Sequence, residues 1–300
     1  MLTYFISIIC VILILNLSCC DDCPTCSNKP TPGAYNVYMA GYVYDQPNHI
    51  WIANSATDSV IDSIPMPNGS ITLLDISPNK NYLAALLPDS STVYIIDTRS
   101  KEIIERVGSG FPHFSYDGSY LLIHSNYILK KYSTMSWELL DSFDLGGNIS
   151  GGALFNNSHK FFSQFESDQY IIFDYETGVT VKKDTMSILA SGSVMWITDM
   201  IMSPDDQYIY WLGAPDMIFK YDYMADSAVD SFPFIYGAFK GNLANSADGN
   251  YLLFTESTDP WNLDDFPVGN LVILEQGNLQ SFRRIPTWNL HPSFPGGNVY

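Results

Sequence analysis

Cysteine is absent from residue 27 to the end of this 300-residue chain; all five lie at Cys10, Cys19, Cys20, Cys23 and Cys26. The long C-terminal part therefore holds no disulfide and offers no thiol nucleophile. Basic residues are also scarce, with 14 Lys plus Arg against 32 Asp plus Glu and a net charge of −18. Such a chain repels phosphate backbones, and no basic stripe offsets this locally, so nucleic acid is excluded as a partner class. Past the first 20 residues there are no long apolar patterns of 3.6-residue period with caps, which excludes a helical domain. The five histidines, at 49, 113, 124, 159 and 291, show no zinc spacing along the chain. There is no Gly-x-Ser-x-Gly elbow, phosphate-binding loop or dinucleotide fingerprint. The Gly-rich "DLGGNISGG" at 144–152 has no helix after it and reads as a loop between repeats.

What is there is aromatic, apolar and repetitive, with 20 Tyr, 17 Phe and 6 Trp. "SPNKNYLAALL" at Ser77 recurs as "SYDGSYLLIHS" at Ser115, "NNSHKFFSQFE" at Asn156, "SPDDQYIYWLG" at Ser203 and "SADGNYLLFTE" at Ser246. Each is a polar turn followed, five residues on, by an aromatic that starts an apolar strand: Tyr82, Tyr120, Phe161, Tyr208 and Tyr251. The intervals, 38, 41, 47 and 43 residues, have the period of propeller blades built from several short strands. A second half repeats in register, as "HIWIANSATDSVIDSI", "VYIIDTRSKEIIERV", "ILKKYSTMSWELLDSF", "YIIFDYETGVTVKKD", "MIFKYDYMADSAVDSF" and "LVILEQGNLQSFRRI". Its turn is expected to begin at Asn54, Asp97, Tyr132, Asp174, Asp222 and Glu275, where short polar side chains bond backbone N–H groups two residues on. The glycines of "DGS", "DGN" and "ETG" suit positive φ. The fold class is all-β: a β-propeller of four-stranded blades with six repeat units visible.

The unit at 77–107 resembles the YVTN-type β-propeller repeat of surface and periplasmic proteins, best matched by "SPDDQYIYWL" and "YIIDTRSKEIIERV". The resemblance covers about residues 37–300 and implies blade geometry; it says little about chemistry. The blade count stays open between two readings. In one, Trp288 to Phe294 supply the innermost strand of the first blade and close a six-bladed ring. In the other, the sequence stops inside a seventh blade, the usual number in that family.

The first 20 residues stand apart. Tyr4 to Leu17 form a nearly unbroken apolar run, the length of a signal-peptide core, without Lys or Arg before it. "LSCC" resembles the lipobox of bacterial lipoproteins, with Leu17 and Ser18 placed to make Cys20 the lipidated residue. A cleaved signal without lipid is the alternative. The resulting division is a leader at 1–20, a tether at 21–35 and a propeller at 36–300. In "CDDCPTC", Cys23 and Cys26 lack a second knuckle for zinc and read as a disulfide or idle thiols in the tether.

No residue is assigned a catalytic role and no cofactor or metal is expected, although a propeller can bring remote residues together at its axis. The candidate binding loop is the insertion "STDPWNLDDFPVGN" in the sixth unit, with Trp261, Asp264, Asp265 and Phe266 on the rim. Together these features predict an extracytoplasmic, lipid-anchored binding module at the cell envelope, non-enzymatic, with an envelope protein or extracellular ligand as partner. Two alternatives remain: a propeller enzyme of the lactonase or amine-dehydrogenase heavy-subunit type, and a structural subunit of an envelope complex.

Overall fold

The computed structural model describes residues 11–14, 36–41, 49–54, 59–67, 71, 73–87, 91–165, 168–186, 197–213, 217–233, 243–246, 249–257 and 269–286. They form six four-stranded antiparallel sheets, each running in chain order from an inner to an outer strand. The inner strands are Val11–Ile14, Leu73–Ile76, Phe111–Phe114, Ile149–Leu154, Ile197–Met202 and Ala244–Asn245. They are arranged around an axis, and Val11–Ile14 lies against the second blade on one side and the sixth on the other. This is a β-propeller. The inner position of the first blade is thus taken by Val11–Ile14, paired with Asn36–Gly41. One of the two readings of the sequence gave that place to residues 288–294, which lie outside the described residues.

Alternation along the middle strands drives the ring together. On Tyr82–Leu87, Leu83, Ala85 and Leu87 pack towards the first blade, and Ala84 and Leu86 towards the third. A middle strand therefore needs two apolar faces, which explains the nearly continuous burial of Tyr82–Leu87, Thr92–Asp97 and Gln169–Asp174. Burying one Leu or Ile fully contributes about 1.5–3 kcal/mol, so each interblade layer is a substantial source of stability. The outer strands lose this burial, as in the exposed Leu139–Asp144 and Val179–Thr185. Their edges are blunted in one way throughout: in all six blades the register shifts between the third and fourth strands, next to the turn. Such a bulge adds twist and disfavours edge pairing with another chain.

The repeated turns have a common mechanism. The Oγ of Ser77, Ser115, Ser203 and Ser246 accepts the backbone N–H of the aromatic five residues on, at 2.8–2.9 Å. In three blades the hydroxyl also donates to Asn79, Asp117 or Asp205. The fourth turn residue is left-handed at Lys80, Gly118, Asp206 and Gly249, and Gly178 is likewise left-handed in the later turn. Asp97, Asp174 and Asp222 begin the later turns as expected, each accepting two backbone N–H groups.

Two repeat positions shift by one residue from the sequence reading. Ser133, not Tyr132, begins the third blade's turn, with its Oγ accepting Met135 and Ser136 N–H. In the fourth blade Phe155 and Lys160 take the Ser and aromatic places, because Phe155 N–H bonds Lys160 O as Ser77 N–H bonds Tyr82 O. A third correction concerns 144–152: Ile149–Leu154 is an inner strand, so Gly151 and Gly152 belong to the ring wall and not to a loop.

Candidate functional site

Inner strands of five blades enclose a cavity of about 300 Å3, lined among others by Asp75, Phe111, His113, Gly152, Asp199 and Asn245. The sequence places a carboxylate in two of these otherwise apolar strands, "LLDI" and "ITDMIM". Each carboxylate is tied to the next blade. Asp75 Oδ2 accepts the backbone N–H of Phe114 at 2.5 Å, and Asp199 Oδ2 accepts that of Leu243 at 2.6 Å. Asp199 Oδ1 also accepts Met200 N–H at 2.8 Å. Burial pushes both carboxyls up to about 7, although the backbone N–H bonds pull the other way. Desolvation wins because neutral amide donors only partly replace lost water around a charge.

Between the third and fourth blades stands a stack of rings. His124 lies parallel to Phe111 at 4.9 Å between centroids and to His113 at 5.2 Å, and Phe161 approaches both imidazoles from the fourth blade. Gly152 makes room for this ring, since a Cβ there would lie 2.1 Å from Phe161 Cζ. His124 is 3% exposed, and both it and His113 line the cavity. Burial lowers His113 to about 4; burial, then the neighbouring His113, holds His124 well below the ordinary imidazole value. Both are neutral at pH 7. His113 Nε2 and His124 Nδ1 are enclosed and make no hydrogen bond among the described residues.

Chemically, the cavity offers two carboxyls that exchange protons near neutrality and two neutral imidazoles. No group of three His, Cys, Asp or Glu is close enough to hold a metal ion among the described residues. Trp261, Asp264, Asp265, Phe266 and Cys20 lie outside the described residues. The axial residues were the ones the sequence reading missed. The available signal was an acidic residue inside an apolar strand just ahead of a Ser-Pro turn, at Asp75 and Asp199.

No protein-family model and no curated protein matches the chain. Among solved structures it is similar to Kuenenia stuttgartiensis hydrazine synthase, at 15% identity and a TM-score of 0.54, over 71% of this chain and 65% of that one. The chain thus spans less than two thirds of that relative's length, and at this identity the likeness shows the fold alone.

Proposed function

We propose that this protein is a non-enzymatic binding module of YVTN-type repeats, exported and anchored through lipid on Cys20, with an envelope protein or extracellular ligand as its partner. The propeller fold supports a binding module. The observation that carries the reading is the pair of carboxylates, Asp75 and Asp199, fixed by backbone N–H groups of the neighbouring blade on the wall of an axial cavity. Groups held this way lose little freedom when a ligand arrives, which favours binding. The apolar run and "LSCC" support export and anchoring. The Trp261 loop, with Asp264, Asp265 and Phe266, is the second contact surface on this reading.

Labelled palmitate fed to producing cells tests the anchor. Incorporation that disappears in Cys20→Ala supports it, and a labelled Cys20→Ala chain or an unlabelled native chain overturns it. A thermal-shift screen of the intact chain against envelope glycans, peptides, lactones and amines tests binding. A propeller enzyme is the second reading, favoured by carboxyls near neutrality that suit a general base. Turnover of any lactone or amine would replace the first reading with it.

A further inference from the structure

Asp75 stands on the inner strand of the second blade and Asp199 on that of the fifth. Three blades apart in chain order, both line the same cavity. Each takes backbone N–H groups from its own strand and the next blade, and a carboxylate has about four lone-pair sites, so acceptor capacity remains on both. The lining includes no Lys or Arg among the described residues, so no cationic side chain of the wall balances these charges. An independent sign of a missing ligand is His124, a lining residue only 3% exposed, whose Nδ1 makes no hydrogen bond among the described residues. His113 Nε2 is in the same condition.

We propose that the axial cavity binds a small organic ammonium ion, with Asp75 and Asp199 as its counter-charges from two different blades and the Phe111–His124–His113 stack as its aromatic side. The inference rests on the binding-module reading above and gives that module a ligand class. A cation restores the favourable field that enclosure removes from a carboxylate, and ring faces attract it further. Its N–H groups can serve the remaining carboxylate lone pairs and, with a small shift of the stacked rings, a neutral imidazole nitrogen. The volume, about 300 Å3, is at the small end of ligand pockets and admits a molecule of a few heavy atoms, not a peptide or a glycan chain. A divalent metal is the poorer fit, because no three ligating side chains come together among the described residues.

The test is calorimetric titration of the intact chain with n-butylammonium and 1,4-diaminobutane, with 1,4-butanediol as the neutral control, at pH 6 and pH 8. Among the described residues, the titratable groups of the cavity wall are Asp75, Asp199, His113 and His124. Both imidazoles are neutral at either pH, and the alkylammonium stays charged, so only the two carboxyls change. Saturable binding of an amine that strengthens about tenfold per ionising carboxyl between pH 6 and pH 8 supports the site. Loss of most of that binding in Asp75→Asn and Asp199→Asn assigns it; Asn keeps an oxygen for the backbone N–H. The pH comparison needs no variant and decides even where one fails to fold. No amine binding, equal binding of butanediol, or amine binding indifferent to pH overturns the proposal. A chain that ignores amines yet binds another small molecule or an envelope protein loses this ligand class while the binding-module reading stands.

Discussion

Asp199 and Leu243 lie 44 residues apart in sequence, yet the carboxylate of the first accepts the backbone N–H of the second at 2.6 Å. Asp75 and Phe114 repeat the relationship across 39 residues at 2.5 Å. Both bonds stitch an inner strand to the next blade at the narrowest part of the ring, so the groups that shape the cavity also hold its wall. Replacing Asp199 by Ala strands the N–H groups of Leu243 and Met200. The expected cost is about 2–3 kcal/mol, read as a lower urea midpoint at unchanged slope. Asp199→Asn, which keeps an acceptor, is expected to cost clearly less.

The same residues set a pH dependence whose sign differs between acids and imidazoles. Asp75 and Asp199 titrate near 7 when folded against about 4 when unfolded, so the native state holds extra protons between those values. Their stabilising contribution is complete below pH 4 and is lost as pH rises through 7. His113 at about 4 and the lowered His124 do the reverse: they hold fewer protons than the unfolded chain, and stability rises with pH up to about 6.5. Asp117, which burial would raise but hydrogen bonds from Ser115 and Ser119 bring down to about 2, acts below this window. The native chain is therefore expected to show a shallow profile from pH 4.5 to 6.5. Asp75→Asn with Asp199→Asn should make stability climb with pH there, and His113→Gln with His124→Gln should make it fall. The slope is at most about 1.4 kcal/mol per pH unit per group, read from denaturant melts at each pH.

Gly152→Ala is expected to destabilise by about 1–3 kcal/mol through overpacking. The added Cβ meets the Phe161 ring at 2.1 Å, and that ring is itself wedged against His113 and His124. Differential scanning calorimetry of the variant checks this. A melting temperature equal to the native one would mean that Phe161 has somewhere else to go.

Export with cleavage before Cys20 would remove Val11–Ile14, the inner strand that pairs with Asn36–Gly41. Amides in 36–41 are therefore expected to exchange faster in the chain from residue 21 than in the full chain, with Leu83 and Ile95 protected in both. Hydrogen exchange read by mass spectrometry checks it. Unchanged protection of 36–41 would show another segment pairing at that edge, and residues 288–294 are the segment to probe.

The blades were legible because their turns repeat a chemical device in one register: Ser77, Ser115, Ser203 and Ser246 each return a hydroxyl to the aromatic residue five on. Where the device is replaced, the reading slipped by one residue. Phe155 has no hydroxyl to mark the turn, and Ser133 hides beside a more conspicuous Tyr132. The axial site was illegible for a different reason. Asp75 precedes its turn serine by two residues and Asp199 by four, so no shared column of the repeat reveals them. His113 and His124 meet only because adjacent strands of one blade bring them face to face, a register that spacing along the chain does not display.

The most direct test is a carboxyl-carbon NMR titration of the intact chain, with aspartate labelled and Asp75→Asn and Asp199→Asn used for assignment. Two carboxyls titrating near 7, one lost in each variant, are expected from the enclosed axial wall. If Asp75 and Asp199 titrate at or below about 4, the cavity is open to bulk water, and the axial site as described here is wrong.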